Sequence, residues 1–346
     1  MIRETPVNSI EIVRKALKFQ RPERLPVVMG GLGVTDAEYI GIPWLPGLRA
    51  SVPGEDEWGC VWERTDVPNM GQVKGHPIRA RGDIDRMRVP DYAADARYVE
   101  MERAIAEQER HGRYIQLGLF MALFERMHTC YGFENVLEGL IDDKPAMAAL
   151  ADRIVETHLV LVDNVAKRFG SRVHAVNMTD DWGTQTAAFV KTELWMEFFL
   201  PRYTRLFDRM HSLGWDVWLH SCGKVNELVE GFIAAGVDSV NLQQPRALGI
   251  EEMGQRYRGR ITFESLADIQ ASIPTGDPAR IDADVAALEK HWMSPEGGFV
   301  FSDYGDSAAL GLKDDTIKRH MYRRFSEASA RLYGSPLPDL PVTHAG

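Results

Sequence analysis

His220 and Cys222 are the two residues of this sequence whose types and spacing most clearly support chemistry. They follow the apolar run 216–219, and in an extended strand residues i and i+2 point to the same side. Imidazole nitrogen and thiolate sulfur are ligands that zinc prefers. The pair therefore predicts a zinc site at the carboxyl end of a strand. The alternative interpretation is a core histidine beside an inert buried thiol.

The elements that must position this pair alternate between strand and helix along the chain. Apolar runs predict seven strands at 25–30, 114–120, 173–178, 216–219, 239–242, 261–263 and 299–301. Segments of helical periodicity separate most of them, which is typical of a parallel sheet. The length of 346 residues suits a closed (β/α)8 TIM barrel, an α/β fold. An eighth strand would then lie within 50–80. An open doubly wound sheet is the alternative, but no Gly-x-Gly-x-x-Gly turn follows the first strand.

The predicted domain organisation is one barrel with two irregular parts. The barrel covers residues 1–334. Residues 31–95, rich in Gly and Pro, are expected to form an irregular cap over the active site. Residues 335–346 are expected to form a loose C-terminal tail.

Polar and aromatic residues follow several of the predicted strands, and in a barrel the strand ends share one mouth. Asp180 and Asp181 follow one strand and are the candidate catalytic acid/base pair, because one of two adjacent carboxylates can acquire a raised pKa. The alternative is that one caps a turn and the other is solvated. Asp303 and Glu264 are candidate metal ligands. The candidate substrate-binding residues are Trp58, Phe120, Phe124, Trp182, Gln243 and Tyr304.

The composition indicates which partners and which cellular compartment to expect for this protein. The formal net charge is −10, which argues against nucleic acid or an anionic membrane as the main partner. Three scattered cysteines, Cys60, Cys130 and Cys222, do not form a disulfide framework and suit a reducing compartment. The sequence shows no signal-peptide pattern and no apolar stretch of membrane-spanning length. We therefore expect a cytoplasmic protein.

Several phrases, in order, connect the chain to a known family. They include RPERLPV at 21–27, DEWG at 56–59, DDWGTQ at 180–185, FFLPRY at 198–203, HSCG at 220–223 and GGFV at 297–300. Over residues 8–333 the chain resembles the uroporphyrinogen decarboxylase superfamily, and within it the cobamide-dependent methyltransferases. The resemblance implies a (β/α)8 barrel, in agreement with the strand–helix alternation.

The resemblance also implies a metal site, with one departure. The methyltransferase branch binds zinc through a His-x-Cys pair and a later cysteine near the last strand. His220 and Cys222 match the pair, but residues 301–306 contain no cysteine. The remaining ligand is then an oxygen of Asp303, Tyr304 or Asp306, or comes from elsewhere, such as Glu264. Otherwise the chain has no tight metal site.

The expected function is a zinc-dependent methyltransferase of the O-demethylase type. It would move a methyl group between a small substrate, such as a methoxylated aromatic, and a corrinoid carried by a separate protein. True decarboxylases of the superfamily carry an Arg-rich phrase after the first strand, and residues 30–35 here contain no arginine. A metal-free decarboxylase or lyase using Asp181 is one alternative. A non-catalytic binding protein on the same barrel is the other.

Overall fold

Eleven strands and twelve helices are formed in the computed structural model, which describes residues 8–64 and 71–341. The strands are β1 (Val27–Met29), β2 (Val34–Thr35), β3 (Ala37–Gly41), β4 (Val61–Glu63), β5 (Gln72–Gly75), β6 (Tyr114–Leu119), β7 (Ala175–Thr179), β8 (Asp216–His220), β9 (Ser239–Asn241), β10 (Thr262–Ser265) and β11 (Phe299–Ser302). The helices are α1 (Ser9–Leu17), α2 (Tyr98–Arg110), α3 (Phe124–Tyr131), α4 (Phe133–Asp142), α5 (Lys144–Phe169), α6 (Thr192–Leu194), α7 (Leu200–Ser212), α8 (Val229–Ala235), α9 (Pro245–Leu248), α10 (Ile250–Tyr257), α11 (Pro278–His291) and α12 (Thr316–Tyr333).

Eight parallel strands form a barrel, as the sequence predicted. The nine-stranded sheet has the order β2-β1-β11-β10-β9-β8-β7-β6-β3, and β2 is its antiparallel member. The gap between β1 and β3 is bridged just before β3, where the Asp36 N–H donates to the Val27 carbonyl over 2.7 Å. The Asp36 carboxylate also accepts the Val27 N–H, and Arg24 pairs with it. Asp36, which immediately precedes β3, therefore links β1 to the start of β3.

The eighth barrel strand lies outside the interval 50–80 that the sequence analysis assigned to it. It is β3, which pairs in parallel with β6. β3 lacks a continuous apolar run because Glu38 is only partly buried and Tyr39 is exposed. The interval 50–80 instead holds β4 and β5, which form a separate antiparallel hairpin. Residues 31–95 therefore contribute a barrel strand as well as the hairpin beside the mouth.

The barrel interior is apolar at its amino end and polar above it. A closed apolar cluster is formed by Val13, Leu17, Ala37, Tyr114, Ala175, Trp218 and Val300. Its members Val13 and Leu17 belong to α1, which covers the amino end of the strands. Two residues further along the strands, the side chains that share this face are polar, as Gln116, Asn177 and His220 show. The strands thus deliver polar groups to the carboxyl-terminal mouth.

The segment after α12 packs on the barrel. Leu337 is buried, its N–H donates to Ser326 Oγ over 3.1 Å, and Tyr322 donates to the Pro338 carbonyl. The described part of the tail, 335–341, is therefore held against α12, which differs from the expected loose tail because Leu337 supplies an apolar anchor. Residues 342–346 lie outside the described residues. Within the described ranges, no helix has both the length and the hydropathy needed to cross a membrane.

Candidate metal centre

Asp181, His220 and Cys222 come together at the carboxyl ends of β7 and β8. Within the described residues they form a group in which one ligand atom of each lies within 4.8 Å of the others. His220 Nε2 lies 3.2 Å from Cys222 Sγ and 3.6 Å from Asp181 Oδ1. The Cys222 N–H donates to Asp181 Oδ1 over 2.8 Å. The structure therefore brings the nitrogen and sulfur of the strand-end pair together, and Asp181 joins them.

Two glycines allow the loops that carry these residues to touch. Gly223 follows Cys222 with a φ of 84°, and a Cβ there would lie 2.2 Å from the Gly183 carbonyl oxygen. A Cβ on Gly183 would lie 2.9 Å from the Lys224 nitrogen. The left-handed φ and the backbone contact both require glycine. This close approach brings Asp181, on the loop after β7, against the amide of Cys222.

The tautomer of His220 is set by the neighbouring strands. His220, Asn241 and Glu264 are register partners on β8, β9 and β10. Asn241 Oδ1 lies 2.6 Å from His220 Nδ1, and an amide oxygen can only accept a hydrogen bond. Nδ1 therefore carries the proton, and Nε2 presents a lone pair toward Cys222. Metal-ligating histidines typically donate a hydrogen bond from the ring nitrogen that does not bind the metal, and this bond orients the ring.

The residues present suit a zinc ion. Zinc–nitrogen and zinc–sulfur bonds of about 2.0–2.3 Å in a tetrahedron place ligand atoms roughly 3.3–3.8 Å apart. The separations of His220 Nε2 from Cys222 Sγ and Asp181 Oδ1 are close to that range. Burial and the Asp181 carboxylate raise the pKa of the Cys222 thiol far above its ordinary value, so the thiol needs a cation to ionise. One nitrogen, one sulfur and one oxygen would leave a fourth position open.

Glu125 is a site residue that the sequence analysis did not single out. Its Oε2 accepts from Thr179 Oγ over 2.8 Å, at the end of β7. Burial first, then the charges of Asp181 and Asp180, raise the pKa of Glu125 to about 8. The carboxyl is therefore protonated at neutral pH beside the metal-binding group. Its position directly after the β6 strand end was the signal available in the sequence.

Asp180 is separated from Asp181 and has a structural position. Its side chain is fully buried, and its oxygens accept the N–H groups of Leu123, Phe124 and Glu125 over 2.7–2.9 Å. Tyr203 also donates to it. The carboxylate thus caps the start of α3, and burial raises its pKa to about 6. The expected pair of adjacent catalytic carboxylates is replaced by one carboxylate in the centre and one beneath a helix.

The other two predicted ligands lie outside the group. Asp303 pairs with Lys318 Nζ at 3.1 Å, and both side chains are buried. Glu264 is buried on β10 as the register partner of Asn241, and burial raises its pKa to about 7. The carboxylate beside the His-x-Cys pair is that of Asp181, because the loop after β7 folds over β8 whereas Asp303 is held by α12.

The predicted substrate-binding residues lie in four environments. Trp58 and Phe120 line a cavity of about 670 Å³ over the ends of β3 and β6. Phe124 and Trp182 are fully buried and stack with ring centroids 4.4 Å apart, so they pack in the core beside the site. Tyr304 is partly buried, and burial first, then the electrostatic effect of Cys222, raises its pKa, so it lies near the centre. Gln243 is partly buried, and its carbonyl accepts the Ile269 N–H.

Comparison with known proteins agrees with this architecture. The sequence profile of the uroporphyrinogen decarboxylase (URO-D) family matches residues 65–301. The chain therefore belongs to the uroporphyrinogen decarboxylase family, as its motifs indicated. No curated protein sequence matches the chain significantly.

Solved structures share the barrel. A methyltransferase from Methanosarcina mazei superposes with a TM-score of 0.69 at 13% identity, covering 92% of this chain and 98% of the other. A D-psicose 3-epimerase from Clostridium cellulolyticum H10 superposes with a TM-score of 0.42 at 10% identity, covering 95% and 94% of the two chains. The first similarity shows the fold, and the second is too weak to support an argument.

Proposed function

We propose that this protein is a zinc-dependent methyltransferase of the O-demethylase type. It moves a methyl group between a small substrate, a methoxylated aromatic, and a corrinoid carried by a separate protein. The observation that carries the proposal is the convergence of His220 Nε2, Cys222 Sγ and Asp181 Oδ1 at the barrel mouth. The three free thiols suit action in a reducing cytoplasm.

The chain's own residues supply ligands and a proton. His220, with its proton on Nδ1, together with Cys222 and Asp181, would hold the metal. Zinc, when bound, acts as a Lewis acid on the substrate heteroatom. A carboxylate in place of a third ligand thiolate favours activation of an ether oxygen, because it donates less electron density to the metal. Glu125, protonated at neutral pH, can donate its proton to the phenolate oxygen that leaves when the oxygen–methyl bond breaks.

Metal content of four proteins purified without added metal tests the proposal. We expect about one zinc per chain in the wild type and its loss in Cys222→Ser and Asp181→Asn, because each variant removes a ligand. Asp303→Asn is the matched control, since Asp303 lies outside the group, and it should retain zinc. A wild type without zinc, or zinc lost equally from all three variants, contradicts the assignment.

Methyl-transfer activity provides the second test of the proposal. Transfer from a methoxylated aromatic to free reduced corrinoid should require zinc and fall on chelation. Undiminished transfer after zinc removal would instead support the metal-free alternative. Zinc binding without any transfer would support a binding protein.

A further inference from the structure

We propose that the cavity over β3 and β6 binds an aromatic carboxylate, with its carboxylate beside Arg126 and its ring between the indole and phenyl groups of the wall. This inference rests on the proposed function and names the class of its substrate. The cavity of about 670 Å³ can hold one substituted ring and its substituents.

Arg126 is a buried cation with unused donors. Its side chain is 6% exposed, and Nε and Nη1 have no hydrogen-bond partner among the described residues. Nη2 donates to the Phe120 carbonyl over 3.3 Å, and the guanidinium lies 4.8 Å from the Trp58 ring centroid. The guanidinium forms an ion pair with Asp56 at 3.5 Å, but that contact gives Nε and Nη1 no hydrogen bond. A buried donor without a hydrogen bond is costly, and an incoming anion that accepts from it removes that cost. Arg126 therefore marks the place for a negatively charged group.

The acidic residues of the cavity wall are occupied by other partners. Glu57 forms two hydrogen bonds of 2.7 and 2.8 Å with fully buried Arg97. Asp56 accepts two backbone N–H groups and the Trp62 indole N–H, and its Oδ2 lies 3.5 Å from Arg126 Nη1. The Asp56 carboxylate thus forms an ion pair with Arg126 but accepts its hydrogen bonds from other donors. The guanidinium retains capacity for a second anion.

The remaining wall is suited to a flat ring. Trp62 and Phe120 lie with ring centroids 6.3 Å apart, and Tyr39 and Trp58 also line the cavity. His158 lines the cavity in its neutral form, since burial lowers its pKa to about 3. Its Nε2 donates to the Ala122 carbonyl over 2.7 Å, so it adds no competing cation. The exposed Arg64 also lines the cavity, whereas Arg126 is buried in its wall. Aromatic walls with a buried cation recognise an anionic arene by stacking and charge together.

The cavity adjoins the candidate metal centre along the sheet. It lies at the ends of β3 and β6, and the centre lies at the ends of β7 and β8. Two strand spacings, about 10 Å, separate β6 from β8. Glu125, next to Arg126 in the chain, lies between the cavity and the centre, because it accepts a hydrogen bond from Thr179 at the end of β7. A ring anchored at Arg126 can therefore extend its opposite substituent toward Asp181, His220 and Cys222.

Binding of 4-methoxybenzoate and of neutral 4-methoxybenzamide to the full chain, without added metal, tests the inference. Isothermal titration calorimetry should show the acid binding at least about tenfold more tightly, since a hydrogen bond to a charged group contributes roughly 1.5–3 kcal/mol. Arg126→Gln should abolish this preference and leave amide binding little changed. Equal affinities for acid and amide in the wild type, or binding of neither, would overturn the inference before any variant is made.

Two further variants complete the design. Arg202→Gln is the matched control, because Arg202 also lies over a ring, 4.2 Å from the Phe198 centroid, and pairs with Asp152, but far from the cavity wall. It should keep the preference for the acid. Phe120→Ala should weaken both ligands, because it removes part of the wall. Retained preference in Arg126→Gln also overturns the inference. Zinc binding with demethylation of neutral ethers only would refute this substrate class and leave the proposed function standing.

Discussion

Replacing Asn241 by Leu tests whether the hydrogen bond between Asn241 and His220, on adjacent strands, orients His220 for metal binding. Asn241 Oδ1 lies 2.6 Å from His220 Nδ1, whereas the other ring nitrogen, Nε2, lies 3.2 Å from Cys222 Sγ. Leucine has a similar size but accepts no hydrogen bond, so the imidazole loses the partner that orients it. Loss of such a partner typically weakens metal affinity 10- to 100-fold. That range corresponds to about 1.4–2.7 kcal/mol of binding free energy.

The assay is competition for zinc with a chromophoric chelator at fixed pH, with circular dichroism to confirm folding. Asn177→Leu is the matched control. Asn177 also lies in the barrel lumen, but it donates to Gln116 Oε1 over 2.9 Å and forms no hydrogen bond with His220. We expect Asn241→Leu to bind zinc 10- to 100-fold more weakly, and Asn177→Leu to bind it like the wild type. Unchanged affinity in Asn241→Leu, or an equal loss in both variants, would refute the reasoning.

Three further predictions concern the loops and the scaffold. Gly223→Ala should cost about 1–3 kcal/mol in urea unfolding and weaken zinc binding, because alanine is strained at a φ of 84° and meets backbone. Tyr203→Phe should cost about 1.5–3 kcal/mol, because it removes a buried hydrogen bond to the Asp180 carboxylate. His211→Gln should lower the free energy of unfolding by about 0.5–1 kcal/mol at pH 6 and by less at pH 9. Its hydrogen bond to Asp238 raises the pKa of His211, so this stability is complete below the unfolded pKa and disappears as pH rises through the folded one.

For each of these three predictions, one result would contradict the reasoning. Zinc affinity and stability unchanged in Gly223→Ala would show that the loop contact does not position Cys222. A stable Tyr203→Phe would mean that the amide groups at the start of α3 suffice for Asp180. A His211→Gln effect that grows with pH would reverse the assigned direction of the His211 pKa.

The hydrophobic periodicity of the sequence predicted most of the fold. Seven of the eight parallel strands overlap the apolar runs, because a strand buried on both faces leaves a continuous apolar signal. β3 was not predicted as a strand because Tyr39 and Gly41 face the open mouth of the barrel, where no apolar side chain is needed. The pair His220 and Cys222 was predictable for a similarly local reason, since two residues of extended chain suffice to align two side chains.

The carboxylates could not be assigned in this way. Asp180, Asp181 and Asp303 all follow strands, and nothing in their immediate sequence distinguishes a helix cap, a metal ligand and the partner of a buried lysine. Those environments arise where residues far apart in the chain meet: α3 over Asp180, the β8 loop against Asp181, and α12 beside Asp303. Local backbone geometry determined the nitrogen–sulfur pair. Only closure of the barrel decided which oxygen stands beside it, because burial and partner charge are properties of the packed chain.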